Sequence, residues 1–278
     1  MILIFGKRGK GKTLLLVDFA VKKMLNGLAD CMKSYEIIDE YNAMGYKFTK
    51  NFEHLLFSNI PINCSGTKIP DRRCYVVNPF KLSLYRGDYE TSVLPPYSLV
   101  CISEAQRVYD SHKAMNFPSE SSAYIETSRQ ADIDFILDCQ RPKLILPNVR
   151  ELVDRFIMCR GVVDCYDIKG RIKCHQWDLV EWEDWACVET YLNSGKLVNC
   201  KQYRYRNDMC LYECYDTKFM RYLHLKGRKK QDFTVQQFPQ INSIEDVEKY
   251  GDLFGLNVPK GFFKKEINQT IKEEEMEF

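Results

Sequence analysis

The chain has 278 residues, of which 45% are hydrophobic and 28% are charged. This composition excludes an intrinsically disordered chain, and the length allows one large domain or two ordinary ones. The 40 basic and 38 acidic side chains give a formal net charge of +2, so the chain as a whole carries no large positive charge for nucleic acid. Contact with DNA would therefore need a local basic patch or the summed charge of several subunits.

Twelve cysteines are spread from Cys31 to Cys214 without Cys-x-x-Cys spacing. Most lie in apolar runs, where a free thiol packs as a small hydrophobic side chain. The four histidines form no Cys/His cluster that would bind zinc. No apolar run reaches the roughly 18 to 20 residues of a membrane helix. We therefore expect free thiols, a reducing compartment and a cytoplasmic protein, unless a partner recruits it elsewhere.

The first predicted strand, Ile2–Phe5, leads directly into a glycine- and lysine-rich loop. The residues that follow match the pattern G-x-x-x-x-G-K-[ST] in full: Gly6, Lys7, Arg8, Gly9, Lys10, Gly11, Lys12 and Thr13. A helix is predicted next, because "TLLLVDFAVKKML" has helical periodicity. The alternative is a glycine-rich turn with solvated cations, but a complete pattern between a strand and a helix favours a nucleotide-binding loop.

Each residue type in this loop has a chemical reason to be there. Glycines adopt backbone conformations that let successive N–H groups point at phosphate oxygens. Lys12 is predicted to reach the β- and γ-phosphates of ATP, and the hydroxyl of Thr13 to bind Mg²⁺. The N-terminus of the following helix adds further affinity for phosphate.

The next predicted elements alternate strands with helices. Strands are predicted at Glu53–Ile62, in "YVVNPF", at Leu99–Ile102 and in "DFILDCQRP". A helix is predicted in "SSAYIETSRQA". The segment "VRELVDRFIMCRGV" is predicted to form a short turn or helix followed by a strand. The wholly apolar run Leu99–Ile102 is typical of a strand covered on both faces. Together with the loop, this alternation predicts an α/β fold: a P-loop NTPase core whose mostly parallel sheet is flanked by helices.

The pattern changes after Gly161, where apolar and polar residues alternate around a hairpin predicted at Lys169-Gly170. The segment "VNCKQYRYRNDMCLYECYD" follows, with a turn predicted at Asn207-Asp208. A short helix is predicted in "NSIEDVEKYGDLFG", capped at Ser243. The predicted domains are an ATPase core at 1–160, an antiparallel β-rich extension completing it at 161–226, and a C-terminal segment at 227–278 with a basic stretch, a small helix and a flexible acidic tail.

A phosphate-binding loop needs an acidic partner at the end of a neighbouring strand, and "SEAQ" after Leu99–Ile102 offers one. Glu104 stands where a general base would orient the attacking water. Ser103 occupies the usual position of the aspartate that holds the Mg²⁺ shell; it can bind a metal-bound water but adds no charge. Mg²⁺ would then bind more weakly, or another carboxylate such as Asp138 would help. The alternative for Glu104 is a cap of the next helix.

The motifs "GKRGKGKT", "LFSNIPI", "ISEAQRVYD", "SRQADIDFILDCQRPKLILPNVRELVDRF" and "YDTKF" occur in this order over about residues 1 to 225. Their set resembles the zonular occludens toxin-like ATPases of filamentous phages, in the FtsK/HerA class of P-loop motors. The resemblance implies a hexameric ATPase that binds ATP and Mg²⁺. It also implies two kinds of partner: DNA, including single-stranded DNA, and phage structural or assembly proteins. The task that it implies is virion assembly, genome packaging or extrusion.

This sequence departs from the family in two respects. The family has Asp-Glu-Ala-Gln where this chain has Ser103-Glu104-Ala105-Gln106, which puts the rate of hydrolysis in question more than nucleotide binding. Filamentous-phage members commonly carry a transmembrane segment, and none is found in this sequence. Packaging or another DNA task in the host cytoplasm is therefore favoured over extrusion through a membrane, with recruitment to a membrane or virion left to partners.

The resemblance also gives a role to Gln140 and to an arginine. Gln140, at the end of "FILDCQRP", would sense the γ-phosphate or hold the water; without the resemblance it is an ordinary strand-end residue. Oligomeric motors complete their site with an arginine from a neighbouring subunit. Arg129 is the first candidate because it precedes the strand. The other candidates are Arg141, Arg150 and Arg155, and each of the four has the alternative of an ordinary surface cation.

Two basic segments are candidates for DNA contact: Arg228-Lys229-Lys230 and Tyr203-Arg204-Tyr205-Arg206. In the second, aromatic rings that could stack on unpaired bases alternate with cations. The alternative is a strand with one charged, solvated face.

Two other functions stay open. A non-hydrolysing, ATP-gated scaffold for assembly or secretion is compatible with Ser103. A small-molecule kinase would need an acceptor pocket and an arginine-rich lid, and the sequence gives no clear sign of either. A GTPase is disfavoured because no Asn-Lys-x-Asp motif occurs.

Overall fold

The computed structural model describes residues 1–45, 55–64, 73–77, 98–112, 125–126, 128, 133–215 and 240–241. Within them lie nine strands: β1 (Ile2–Phe5), β2 (Leu56–Ser58), β3 (Cys74–Val77), β4 (Leu99–Ile102), β5 (Asp134–Cys139), β6 (Arg155–Tyr166), β7 (Ile172–Trp182), β8 (Lys201–Arg206) and β9 (Gln240–Ile241). The α-helices in the same residues are α1 (Lys12–Ala43), α2 (Pro147–Glu151) and α3 (Trp185–Ser194).

The strands form one sheet in the order β8-β7-β6-β1-β5-β4-β2-β3-β9. In this spatial order, every neighbouring pair from β6 through β1, β5, β4, β2 and β3 to β9 is parallel. The pairs β6–β7 and β7–β8 are antiparallel. The predicted α/β fold with a mostly parallel sheet and an antiparallel extension is confirmed. β6 belongs to both parts, because it pairs with β1 on one side and with β7 on the other, and it runs across residue 160, the predicted end of the core.

Helices cover both faces of the parallel part. Alternate residues of β1 point to opposite faces: Ile4 packs with the first turns of α1, and Leu3 and Phe5 pack on the side of α3. β4 is buried along its whole length, as its apolar sequence predicts. Each large apolar side chain buried here stabilises the fold by roughly 1.5–3 kcal/mol.

Some elements differ from the prediction. β2 ends at Ser58, before the predicted end at Ile62, and the side chain of the next residue, Asn59, binds the backbone of Ser103; Glu53 lies outside the described residues. The turn at Asn207-Asp208 leads into a 3₁₀ turn at Leu211–Glu213. The helix α3 was not predicted from the sequence. Its caps are nevertheless visible there: Asp184 accepts a hydrogen bond from the N–H of Ala186 at 2.8 Å, and Gly195 ends the helix at a φ of 73°.

Several predicted features lie outside the described residues. They are most of the helix in "SSAYIETSRQA", the residue Arg129, the basic segment Arg228–Lys230, the C-terminal helix and the acidic tail. Among the described residues, no helix combines the length and apolar character needed to span a membrane. The cysteines whose side chains are described carry free thiols, as predicted.

Candidate nucleotide-binding site

The glycine-rich loop joins β1 to α1 at the carboxyl end of the parallel strands, and two of its glycines are required by geometry. Gly6 has a φ of 146°, and a Cβ atom there would lie 2.6 Å from the carbonyl oxygen of Cys159. Gly11 has a φ of 82°, and its Cβ would lie 2.6 Å from Cγ1 of Val162. No other residue fits these positions without moving β6. The loop is therefore packed tightly against the end of the sheet.

Lys12 begins α1 and its side chain is buried, with 6% of its surface exposed. Its Nζ donates to the carbonyl of Lys7 at 3.4 Å, so the side chain folds back across the loop. A buried cation is costly unless an anion compensates it. The interior of the loop therefore fits a phosphate group, which is the ligand that the motif predicts.

The ends of β4 and β5 bring two oxygen-bearing side chains, Ser103 and Asp138, to Thr13 of this loop. The hydroxyl of Thr13 lies 3.5 Å from that of Ser103. Ser103 donates in turn to Oδ2 of Asp138 at 3.0 Å. Because β4 and β5 are adjacent and parallel, residues at their carboxyl ends meet at the same edge of the sheet. A carboxylate thus lies directly behind the serine that replaces the expected aspartate.

Asp138 is completely buried. Burial raises the pKa of its carboxyl group above the ordinary value of 3.8. Hydrogen bonds from the backbone N–H of Glu104 and from the hydroxyls of Thr13 and Ser103 act in the opposite direction, as does the positive charge of Lys12. These partners favour the carboxylate form over the acid, so the charge of Asp138 depends on groups that belong to the loop and to β4.

Glu104 has an unusual backbone conformation, with φ 55° and ψ 45°. A left-handed conformation at a residue other than glycine costs of order 1–3 kcal/mol, and such strain is often found at functional sites. Its backbone N–H is held by Asp138 at 3.0 Å. Glu104 occupies the position before the 3₁₀ turn at Ala105–Arg107, but its side chain makes no cap hydrogen bond to that turn.

The carboxylate of Glu104 instead accepts hydrogen bonds from two side-chain amides. Gln140, which directly follows β5, donates at 3.1 Å, and the amide of Gln106 is a second donor. The structure thus brings together Glu104 and Gln140, which were singled out separately in the sequence. Glu104 is partly exposed and Gln140 is exposed, so the pair lies at the surface.

Asn59 is a residue of this site that the sequence analysis missed. Its side chain clamps the backbone of Ser103: the amide donates to the carbonyl at 2.8 Å and the oxygen accepts from the N–H at 2.8 Å. This double hydrogen bond fixes the direction in which the chain leaves β4. A polar amide directly after the apolar run "LLFS" was the signal in the sequence.

The described arginine candidates differ in their surroundings. The guanidinium of Arg150 lies over the ring of Trp185, 4.3 Å from its centre, and Arg155 pairs with Glu181 at 2.7 Å. Both are thus committed within the chain. Arg141 directly follows Gln140 and is exposed. Among the described candidates it is therefore the one whose side chain is available to a neighbouring subunit.

A cavity of about 450 Å³ lies beside the loop, between the end of β5, residues Met158 to Arg160 inside β6, and the helix α3. Its floor is apolar, and the charged side chains that line it are all basic: Lys7, Lys10, Arg141, Lys143 and Arg160. The local field at this end of the molecule is therefore positive although the net charge of the chain is only +2.

On β8 the arginines and the tyrosines face opposite ways. Arg204 and Arg206 are exposed, whereas Tyr203 and Tyr205 are half-buried. Tyr203 donates to Glu181 at 2.5 Å, and the hydroxyl of Tyr205 donates to Asp18 of α1. The idea that these rings stack on bases is wrong, because they are packed inward. The alternative, a strand with one charged and solvated face, is confirmed.

The complete G-x-x-x-x-G-K-[ST] loop between β1 and α1, with polar side chains at the ends of β4 and β5, defines the fold of a P-loop NTPase. No protein-family model and no curated protein matches the sequence. Solved structures with a similar fold include the N-terminal domain of zonular occludens toxin from Neisseria meningitidis, from the family that the sequence resembles. It is 22% identical over 77% of this chain and 97% of that chain, with a TM-score of 0.41.

Two further similar structures are of other ATPases. The genome packaging NTPase B204 from Sulfolobus turreted icosahedral virus 2, in complex with ATP-gammaS, is 10% identical over 76% of this chain and 98% of that chain, with a TM-score of 0.34. EssC (ATPases 2 and 3) from Geobacillus thermodenitrificans is 11% identical over 91% of this chain and 43% of that chain, with a TM-score of 0.32. At these identities, function is inferred from this chain's own residues.

Proposed function

We propose that this protein is an ATP-hydrolysing motor that moves DNA in the virion assembly, genome packaging or extrusion of a phage or related mobile element. The observation that carries the hydrolytic part is the meeting of Lys12 and Thr13 with the Ser103–Asp138 pair and Glu104. The order of motifs in the sequence supports the DNA-related part. We place this activity in the host cytoplasm, with phage assembly proteins as partners.

The loop residues 6–13 would hold the triphosphate through their backbone N–H groups and through Lys12. Thr13, with Ser103 and Asp138 behind it, would hold Mg²⁺, which when bound neutralises charge on the phosphates. The proton of the Ser103 hydroxyl is donated to Asp138, so the lone pairs of Oγ remain available on the side of Thr13. Asp138 thus supplies through the serine hydroxyl the negative charge that an aspartate at position 103 would have supplied directly.

Glu104 would act as the general base that takes a proton from the attacking water. The amide of Gln140 holds the carboxylate of Glu104 in the structure, so it would keep this base at the edge of the loop and respond to a ligand there. An arginine from a neighbouring subunit would complete the site in a ring, and Arg141 and Arg129 are the candidates. Assembly as a hexamer is part of the proposal.

Exposed cations support contact with DNA. Arg204 and Arg206 line the solvated face of β8, and a ring would repeat this small patch around one axis. Phosphate contacts release counterions, so the affinity for DNA should fall steeply as salt increases. DNA binding should accordingly require the oligomer.

The direct test is Mg²⁺-dependent ATP turnover with and without single- and double-stranded DNA, together with the mass of the particle under each condition. Turnover stimulated by DNA, in a ring-sized oligomer, is expected. ATP binding without turnover would contradict the motor and support the assembly scaffold, whereas turnover that needs a small acceptor would support a kinase.

A further inference from the structure

Trp177 of the antiparallel extension contacts the phosphate-binding loop directly. Its side chain is completely buried, and its indole Nε1 donates to the carbonyl oxygen of Gly11 at 3.1 Å, across 166 residues of sequence. The Cβ atom of any residue larger than glycine at position 11 would lie 3.0 Å from this nitrogen. The indole is therefore in contact with the loop and not merely nearby.

The carbonyl of Gly11 is held by two donors. Besides Trp177, the N–H of Leu15 donates to it at 2.9 Å, which is the first hydrogen bond of α1. The carbonyl of Gly11 and the N–H of Lys12 belong to the same planar peptide unit and point in opposite directions. A carbonyl fixed towards the sheet and the helix interior therefore fixes the Lys12 N–H towards the interior of the loop.

We propose that Trp177 is a positioning residue for nucleotide binding: by holding the Gly11 carbonyl, its indole N–H orients the Lys12 backbone N–H towards a bound phosphate. This inference rests on the proposed binding of a nucleotide, and it is independent of hydrolysis and of DNA.

The surroundings of Trp177 keep the indole in place. Its ring packs against those of Tyr205 and His175, with centres 5.7 and 5.8 Å apart. The hydroxyl of Tyr205 in turn binds Asp18 in the second turn of α1. The extension therefore contacts the loop through Trp177 and the helix that follows it through Tyr205.

The chain offers a matched control in Trp182. It is equally buried, lies on the same strand, and its Nε1 donates to the carbonyl of Val198 at 3.1 Å, on the other face of the sheet beside Phe5 and Tyr191. Trp177→Phe and Trp182→Phe thus remove the same atoms and the same type of hydrogen bond. Of the two hydrogen bonds, only that of Trp177 is made to the loop.

The experiment measures the Kd of Mg²⁺-ATP and the melting temperature of the full chain and of both variants. Trp177→Phe should raise the Kd by about fivefold, which is what one neutral hydrogen bond contributes, and Trp182→Phe should leave it unchanged, while both lower the melting temperature. Equal Kd values in the two variants would overturn the inference. Absence of ATP binding by the unaltered chain would instead overturn the proposed function, and the inference with it.

A second measurement covers the case in which Trp177→Phe does not fold. The chain has three tryptophans, so Trp182→Phe/Trp185→Phe leaves Trp177 as the sole source of tryptophan emission. Saturation with ATP should shift the intensity or wavelength of this emission, because the indole is bonded to the loop. An emission spectrum that does not respond, in a variant that binds ATP, would contradict the positioning role.

Discussion

The parallel and antiparallel parts of the sheet use their residues differently. In the parallel part, the short strands β4 and β5 are buried almost throughout, and the polar groups of the site are concentrated near their carboxyl ends, at Ser103, Asp138 and Gln140. In the antiparallel part, β8 alternates inward tyrosines with outward arginines from Tyr203 to Arg206. The comparison teaches that the strand ends of the core supply the polar groups beside the loop, whereas the extension supports the loop from one face and offers charge to solvent on the other.

The strongest test of the core is Lys12→Ala. Loss of the buried amine should lower ATP turnover by roughly 10²–10³-fold, the effect of removing one preorganised group from a transition state. Circular dichroism should show an intact fold, since the removed charge is itself costly to bury. A variant that binds and hydrolyses ATP like the unaltered chain would show that the loop is not the nucleotide site.

Glu104→Gln should separate binding from turnover. The amide keeps the shape of the side chain but cannot take a proton from water, so turnover should fall by about 10²–10⁴-fold while the Kd of ATP changes little. Gln106→Ala is a suitable control, because it removes a side-chain amide that bonds to Glu104 and keeps the carboxylate of Glu104. A rate equal to that of the unaltered chain would place the base elsewhere.

A third test moves the carboxylate from Asp138 of β5 to position 103, directly after β4. Ser103→Asp alone would put two carboxylates at the 3.0 Å contact of Ser103 and Asp138, and two such groups do not ionise together. We expect the Mg²⁺ concentration for half-maximal turnover to rise by about tenfold, corresponding to about one pKa unit. Adding Asp138→Asn should restore it. If the single variant needs less Mg²⁺ than the unaltered chain, Asp138 does not supply the charge.

Asp138→Asn should also change the pH dependence of stability. Burial raises the pKa of Asp138 in the folded chain above 3.8, so its contribution to stability is fully present below that value and is lost as the pH rises through the folded pKa. The Asp138→Asn variant has no group that ionises at this position, so it does not lose stability in this way. The melting temperature of the variant relative to that of the unaltered chain should therefore rise across this pH window, and a difference that is constant with pH would contradict the assignment.

The smallest expected effect concerns the extension. Arg204→Ala/Arg206→Ala should weaken DNA binding by the oligomer and lower the slope of log affinity against log salt by about two, one for each phosphate contact. The control Lys169→Ala/Arg171→Ala, at the hairpin between β6 and β7, removes the same amount of charge. It should change the affinity for DNA and the salt slope less. Tight, salt-insensitive binding by the monomer would rule out this patch as the DNA contact.

Local patterns were sufficient for part of this site. The loop Gly6–Thr13, the buried run Leu99–Ile102 and the strand before Gln140 could be predicted because the requirements of each are met within a few neighbouring residues. The helix α3 was missed because its capping residues, Asp184 and Gly195, are of types that are also common in turns. The packing of Tyr203 and Tyr205 could not be predicted, because alternation along a strand does not say which face is covered.

The sequence by itself determined that a strand, a phosphate-binding loop and a helix follow one another, since glycine conformations and apolar periodicity act over short distances. Only the tertiary structure decided which distant groups complete the loop. Asn59 clamps Ser103, Asp138 lies behind it, and Trp177 holds Gly11. These contacts depend on the order in which strands join the sheet, and strand order is set by the burial of whole faces rather than by any local pattern.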